Sequence, residues 1–315
     1  MTSAPGYLAL HAGGELSRRR DAALERLSCC RLCPRRCGVN RLAGEQGFCR
    51  TGRQAVVSAS HPHFGEEAVL VGRGGSGTIF FADCNLGCIF CQNYEISHLG
   101  EGEEVAAPEL AAMMVRLDRQ GCHNINLVTP SHVVAQILEA LPLAIEGGLS
   151  VPLVYNSSGY DEVDTLRLLD GIVDIYMPDF KFWSSDSGHR FAKAANYPDK
   201  ARQAIREMHR QVGDLLVNAE GLAEHGLLVR HLVMPEGLAE TREILGFLAG
   251  DISPATYVNV MDQYRPCGQA MNFPPLDRML RPEEYGQALE LARQAGLTRL
   301  DQRDFGAMLR ALGIV

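Results

Sequence analysis

The chain has 315 residues, of which 46% are hydrophobic and 22% charged, so it is long enough for one large core or two smaller domains. Its formal net charge of −8 argues against a protein that mainly grips nucleic-acid phosphates. The N-terminal sequence lacks the basic and apolar segments of a signal peptide, and no apolar run approaches the roughly 18 residues of a membrane span. We therefore predict a cytoplasmic protein with no nucleic-acid and no membrane partner.

Cysteines are numerous and unevenly distributed along the chain. Of the ten, five fall in 29–49 and three in 84–91. In an unexported protein, closely spaced thiols more often belong to metal or redox sites than to disulfides. The two clusters are therefore the first candidates for functional sites.

The N-terminal segment, residues 1–54, is predicted to contain a helix and a metal site. Residues 14–28 have the pattern of a short charged helix, and the stretch that follows has too few apolar residues for a core of its own. Four of its cysteines are spaced C-x2-C-x3-C-x11-C, which suits a closed four-ligand site: Cys30, Cys33, Cys37 and Cys49. Cys29 is a substitute ligand. Structural zinc, a second iron–sulfur cluster and a redox dithiol all remain open.

Residues 55–300 show a regular alternation of strands and helices. Apolar, β-branched runs predict strands at 78–83, 125–129, 152–157, 174–180, 227–234 and 257–261. Helical patterns lie near 104–120, 131–147, 160–170, 199–216, 238–249 and 282–295. The alternation predicts a parallel α/β fold, followed by a helical tail at 301–315. It does not choose between an open doubly wound sheet and a partial barrel. HPHFGEE, at 61–67, is interpreted as a packed loop ahead of the first strand.

Polar residues gather where the predicted strands end. They occupy positions 83–84, 129–132, 156–158, 179–181, 235–236 and 262–263. The carboxyl ends of parallel strands meet at one edge of a sheet or one mouth of a barrel, where ligands bind. The sequence therefore predicts a single site built from several strand ends.

The first strand is followed by CNLGCIFC, which places Cys84, Cys88 and Cys91 at C-x3-C-x2-C spacing. Three thiolates on one loop suit three corners of a cubane iron–sulfur cluster and leave the fourth iron without a protein ligand. An open metal position is typical of catalytic rather than structural sites. A structural zinc site completed by His98 and a set of metal-free thiols are the alternatives.

This motif, with the aromatic Phe90 before its third cysteine, resembles that of the radical S-adenosylmethionine enzymes. The resemblance implies a [4Fe–4S] cluster on the three cysteines, S-adenosylmethionine chelated at the open iron, and Phe90 beside that cofactor. Its reductive cleavage gives a 5′-deoxyadenosyl radical, which abstracts a hydrogen atom from a substrate. The resemblance also implies a partial (β/α)6 barrel of the radical S-adenosylmethionine type over 55–300, with the small Cys-rich segment at its N-terminal side.

Within this superfamily the chain looks like the activating enzymes of glycyl radical enzymes, of the pyruvate formate-lyase activase type. It resembles a poorly characterised homologue group with HPHFGEE, GSGTIFF, CQNYEIS, NINLVTP, YNSSGY, DIYMPDFK and RHLVMPE, all of which are present. The likeness implies that five residues contact S-adenosylmethionine and a monovalent cation: Asn156, Ser157, Ser158, Asp179 and Lys181. Asn156 stands where the activases have an aspartate, so one charge of the cation site is lost.

Two motifs depart from the activase pattern. After the second strand the activases have Gly-Gly-Glu, whereas this chain has LVTPSH, in which Thr129 and Ser131 are the candidate replacements. After the last strand they have Tyr-His, whereas this chain has MDQY with Gln263. These changes affect the expected substrate more than the expected cofactor.

Three functions follow from this comparison. The first is activation of a partner enzyme by abstraction of a glycine hydrogen, with a flavodoxin or ferredoxin as electron donor. The second keeps the chemistry but acts on a small molecule or a peptide. The third is a non-catalytic iron–sulfur or zinc scaffold, which the polar strand ends argue against.

Overall fold

A computed structural model describes residues 4–301. Within that range, nine strands form one sheet: β1 (Ala55–His63), β2 (Ser76–Phe81), β3 (Glu103–Val105), β4 (Ile125–Val128), β5 (Leu153–Ser157), β6 (Ile175–Pro178), β7 (Leu216–Val217), β8 (Ala223–Leu232) and β9 (Tyr257–Met261). Their order is β3-β1-β2-β4-β5-β6-β8-β7, and β9 also pairs with β8.

The six strands predicted from the sequence are β2, β4, β5, β6, β8 and β9, and they are all parallel. Five of them are almost completely buried, and β8 is buried over Gly226–Val229 with half-buried residues toward its ends, so the prediction of strands covered on both faces is confirmed for most of their length. The mixed α/β class is therefore established. The curvature of these strands into a partial barrel stays a prediction.

Three strands were not predicted. β1 pairs antiparallel with both β2 and β3, and β7 pairs antiparallel with β8. β1 was missed because its side chains are mostly half-exposed, so it lacks the continuous apolar run of the parallel strands. HPHFGEE is consequently not a loop throughout, since His61 and His63 lie on β1 and their rings contact Phe80.

Ten α-helices surround the sheet in the described part of the chain. They are α1 (Gly6–Ala12), α2 (Glu15–Glu25), α3 (Ala68–Val71), α4 (Ala107–Arg119), α5 (Val134–Glu146), α6 (Val163–Leu166), α7 (Ser185–Ala192), α8 (Tyr197–Val212), α9 (Thr241–Phe247) and α10 (Pro282–Gln294). Five of the six helical patterns predicted after residue 100 correspond to α4, α5, α8, α9 and α10. None of the described helices combines the length and apolar content that a bilayer crossing requires.

The helix predicted at 160–170 is present but shorter, since it covers only 163–169. Only the short α6 and a 3-10 turn at Arg167–Leu169 are helical there. The residues ahead of α6 are held by the buried carboxylate of Asp161, which accepts hydrogen bonds from the hydroxyls of Tyr155 and Ser157 at 2.9 and 2.6 Å. This side-chain network competes with helical backbone bonds at the start of the segment.

The N-terminal helices α1 and α2 pack onto the rest of the fold. Residues of α1 and α2, including Tyr7 and Leu16, join the same buried core as the sheet, and α2 packs against α5. The division into a segment at 1–54 and a barrel at 55–300 stays a prediction. The helical tail predicted at 301–315 lies outside the described residues apart from Asp301.

The two faces of the sheet are covered differently. One face packs on the long helices, whereas the short helix α3 covers the other, where Leu70 is fully buried. We call this second surface the α3 face. Its core consists of Leu70, Val154, Ile175, Met177, Leu215, Ala223 and Leu228. Side chains two residues apart on a strand share a face, so the α3 face continues into polar residues toward the carboxyl edge.

Replacement of Leu70 by Ala tests whether α3 anchors this face. Because Leu70 has no exposed surface, its truncation should lower the free energy of unfolding by about 2–5 kcal/mol in urea denaturation. The matched control is Leu99→Ala, whose side chain is 60% exposed and whose loss should change stability by less than about 0.5 kcal/mol. Equal effects of the two substitutions would contradict the assignment.

Candidate functional site

The cysteine loop leaves β2 at the carboxyl edge of the parallel strands. Two backbone hydrogen bonds attach it to the end of α7: the N–H of Gly87 donates to Ala192 at 3.1 Å, and that of Ile89 to Phe191 at 3.0 Å. α7 was not predicted, although Ser184 caps it by accepting a hydrogen bond from the N–H of Ser187. The cysteine loop is therefore held by α7, a helix that the cysteine motif does not predict.

The sulfur atoms of this loop receive hydrogen bonds that favour the thiolate form. Cys84 Sγ accepts the N–H of Leu86 at 3.3 Å, and Cys91 Sγ accepts the hydroxyl of Ser97 at 3.1 Å. Burial raises the pKa of Cys88 to about 12, against the opposing effect of the Lys181 ammonium. Without a metal the Cys88 thiol is therefore neutral at ordinary pH, whereas a bound metal removes the proton of a coordinating thiol.

Lys181 and Asp179 form an ion pair at the end of β6, next to the cysteines. Their side chains are 15% and 22% exposed, so the pair is not the solvated surface contact that exposed charges usually form. Burial opposes the charge of Lys181, but Asp179 and Cys88 outweigh it and raise the pKa of the ammonium. A permanent positive charge therefore lies beside Cys88, which suits an anionic cluster or a cofactor carboxylate.

Arg230 connects the strand ends to a segment that the sequence analysis did not identify as functional. On β8, its guanidinium binds both carboxylate oxygens of Glu67, at 2.6 and 2.7 Å, and also contacts Glu66. The amide of Asn259 on β9 donates to Glu67 at 2.6 Å. Burial opposes the charge of Glu67, but Arg230 outweighs it, and the pKa of the carboxyl is lowered. The two adjacent glutamates of HPHFGEE, Glu66 and Glu67, were the sequence feature that could have indicated a charged contact here.

The predicted cofactor residues at the end of β5 have different surroundings. Asn156 lies on the α3 face, 3.5 Å from the Arg230 guanidinium, and the hydroxyl of Ser158 is buried without a protein partner in the described structure. Ser157 is on the opposite face, where it donates to Asp161 and accepts the N–H of Gly159 at 3.1 Å. Asn156 therefore faces Arg230, whereas Ser157 faces Asp161 on the other side of β5.

Thr129 and Ser131 follow β4. Thr129 has a positive φ of 62°, uncommon for a β-branched residue, and its N–H donates to the carbonyl of Asn156 at 2.9 Å. Ser131 is buried beside Asp161, whose pKa burial raises and Ser131 lowers. Thr129 thus lies at the site edge, whereas Ser131 belongs to the network behind β5.

Phe90 and Gln263 lie where the loop after β9 meets the cysteine loop. Phe90 is buried, with its ring in a T-shaped contact with Phe182 at 5.9 Å. The backbone carbonyl of Gln263 accepts a hydrogen bond from the side chain of Gln92 at 3.0 Å. The loops following the first and last parallel strands are therefore joined next to Cys91.

The donor set fits an iron–sulfur cluster better than a single zinc ion. Within residues 4–301, no three His, Cys, Asp or Glu side chains converge on a point where one metal ion would bind. His98, the proposed fourth zinc ligand, stacks on Tyr94 and contacts the Ser97 hydroxyl. In a cubane cluster each cysteine binds a different iron, so the sulfurs need not share one point.

The Arg230 ion pairs provide a stability prediction. Arg230→Met should lower the free energy of unfolding by about 3–5 kcal/mol, because it leaves buried carboxylates without a partner. Adding Glu66→Gln and Glu67→Gln should restore part of the loss, as measured by urea denaturation. Arg206→Met is the control, since its ion pair with Asp251 is about half exposed on both sides and is worth about 0–1 kcal/mol. Similar losses in both arginine variants would contradict a buried network.

Comparisons with known proteins give the family but no activity. No family model matches the chain. A solved structure is titled "Structure of TYW1 with a lysine-pyruvate adduct bound". Its match covers 69% of this chain and 72% of the TYW1 chain, at 14% sequence identity and a TM-score of 0.40, which is a distant structural similarity. The "Uncharacterized protein MJ0674" of Methanocaldococcus jannaschii is 37% identical in an alignment of 277 residues, and the match covers 85% of this chain and 75% of the relative. At that identity and coverage, the chain belongs to the family of MJ0674.

Proposed function

We propose that this protein is a radical S-adenosylmethionine enzyme. The observation that carries the proposal is the cysteine triad: Cys84, Cys88 and Cys91 leave β2 at the carboxyl edge, with N–H and O–H donors on two sulfurs and the Lys181 ammonium beside Cys88. A reduced [4Fe–4S] cluster, when bound, supplies the electron that splits the sulfonium of S-adenosylmethionine, and the resulting 5′-deoxyadenosyl radical takes a hydrogen atom from a substrate.

The residues around the triad have distinct tasks in this proposal. The three cysteines hold three irons and leave one for the cofactor's amino and carboxylate groups. Lys181 supplies the positive charge that a carboxylate needs, and Asp179 keeps Lys181 directed along the strand ends. Ser158 offers a buried hydroxyl without a protein partner in the described structure. Phe90 and Phe182 exclude water from the same edge.

The monovalent cation is not part of the proposed site. Ser157, one of its expected ligands, directs its hydroxyl to Asp161 on the other face of β5. Asn156, another, directs its side-chain oxygen to the guanidinium of Arg230 at 3.5 Å, so this oxygen already faces a donor.

For the substrate, activation of a partner enzyme by removal of a glycine hydrogen is the first candidate. It rests on the motif likeness to the glycyl radical activases, and a cytoplasmic flavodoxin or ferredoxin would then deliver the electron. The second candidate is a small molecule or a peptide, favoured by LVTPSH and MDQY in place of the activase motifs. A scaffold without catalysis is disfavoured, because it needs neither an open iron position nor the buried charges near Cys88.

Anaerobic turnover tests the chemistry directly. Reduced, iron-reconstituted protein incubated with S-adenosylmethionine should release 5′-deoxyadenosine, measured by liquid chromatography. Cys88→Ala should abolish the product, since a two-cysteine loop cannot hold the cluster in this way. Cys122→Ala is the control, because Cys122 is buried beyond the site and its variant should retain turnover. Retained cleavage by Cys88→Ala, or none by the wild type, would sink the proposal.

Electron paramagnetic resonance separates the two substrate candidates. Incubation with the product of a neighbouring gene that resembles a glycyl radical enzyme should generate a glycyl radical doublet, which Cys88→Ala should not produce. Formation of 5′-deoxyadenosine without that doublet would reject activation and favour a small molecule or peptide. Absence of both signals would instead favour a scaffold.

A further inference from the structure

The second group of cysteines is folded into one compact site. Cys30, Cys33 and Cys49 are 4%, 5% and 6% exposed, and Cys37 lies at the surface above them. Backbone hydrogen bonds close the segment, with the N–H of Cys30 donating to Val39 at 2.9 Å and the N–H of Gly38 donating to Cys30 at 3.0 Å. The later turn reaches the same place, since a Cβ added at Gly47 would lie 2.4 Å from Cys37 Sγ.

A buried cation lies against this group without a carboxylate partner. Arg41 is 1% exposed and donates to the carbonyls of Gly52 and His132, both at 2.8 Å, and its Nη1 is 3.9 Å from Cys30 Sγ. Its Nη2 is buried without a hydrogen-bond partner, and within residues 4–301 no ion pair neutralises the guanidinium. A buried charge without a counter-charge is costly, so the site is short of negative charge.

We propose that Cys30, Cys33, Cys37 and Cys49 bind a thiophilic metal centre as four thiolates, with Arg41 as its buried counter-cation. Binding replaces four S–H bonds by metal–sulfur bonds and releases the protons to solvent. Zinc and an iron–sulfur cluster both accept four thiolates and both then carry a net negative charge. Because no three ligating side chains within residues 4–301 converge on a point for one metal ion, the wider ligand spacing of a cluster fits these thiols better than zinc does. The centre thereby supplies the anion that Arg41 lacks.

The centre also positions the catalytic loop. Arg35, between Cys33 and Cys37, donates to the carbonyl of Asn85 at 2.8 Å and to that of Lys193 at 2.7 Å, and it stacks on Phe48. Arg50, directly after Cys49, pairs with Asp83, the residue before Cys84. Arg35 and Arg50 thus lie next to proposed metal ligands in the chain. Both also contact the segment that carries Cys84, Cys88 and Cys91.

The decisive experiment separates the two metal sites. A variant with Cys84, Cys88 and Cys91 all replaced by Ala, purified anaerobically after expression with iron and zinc, should retain either about one zinc ion or several irons with matching sulfide per chain. Addition of Cys37→Ser should remove that metal. Because Cys37 is exposed, this substitution leaves the core intact, and circular dichroism checks the fold. Equal metal content with and without Cys37→Ser would overturn the proposal.

The metal content of these variants distinguishes failure of the second metal centre from failure of the catalytic cluster. Failure of the second centre leaves the triple variant without bound metal, whereas failure of the catalytic cluster leaves the wild type with no more iron than the triple variant. Loss of zinc on adding Cys37→Ser would identify a zinc site, and loss of iron and sulfide an iron–sulfur site. Either loss supports a four-thiolate centre.

The role of Arg41 has its own control. In the triple-alanine background, Arg41→Met should release the metal to a chelator at a concentration at least about tenfold lower than the parent does, because the counter-charge is lost; tenfold corresponds to about 1.4 kcal/mol. Arg31→Met removes the same charge from an exposed position in the same segment and should not change the release. Equal release by Arg41→Met and Arg31→Met would reject the counter-cation.

Discussion

Parallel pairing of six consecutive predicted strands is the constraint on which the site depends. Because β2, β4, β5, β6, β8 and β9 run in the same direction, their carboxyl ends share one edge, and the loops that leave them are brought together without any local signal. The triad after β2, the Asp179–Lys181 pair after β6 and the loop after β9 are neighbours for this reason.

Buried charge is balanced locally around this edge. Lys181 has Asp179, and Arg230 has Glu66 and Glu67, so two cations are neutralised beside the cysteines. These pairs are too buried to be ordinary surface contacts. Arg41, in contrast, has no carboxylate partner within residues 4–301 and lies against the thiol of Cys30.

Elements with a local or repeated signal were predictable from the sequence. Continuous β-branched runs identified the parallel strands, and helical patterns identified most long helices. Elements that depend on side chains far apart in the chain were predicted less well. The segment at 160–170 is held by Asp161, Tyr155 and Ser157, and β1 is half-exposed and antiparallel. The Glu67 contact with Arg230 spans 163 residues, so the acidic pair in HPHFGEE does not by itself identify its partner.

By itself, the sequence determined the α/β alternation, the two cysteine sets and the strand ends that carry polar residues, since these depend on spacing and on periodicity along the chain. Only the tertiary structure decided which way each side chain faces. It turned Ser157 behind β5 and Asn156 toward Arg230, because neighbours on a strand point to opposite faces. It also placed Arg41 against Cys30, since burial and charge balance are properties of segments that meet in space.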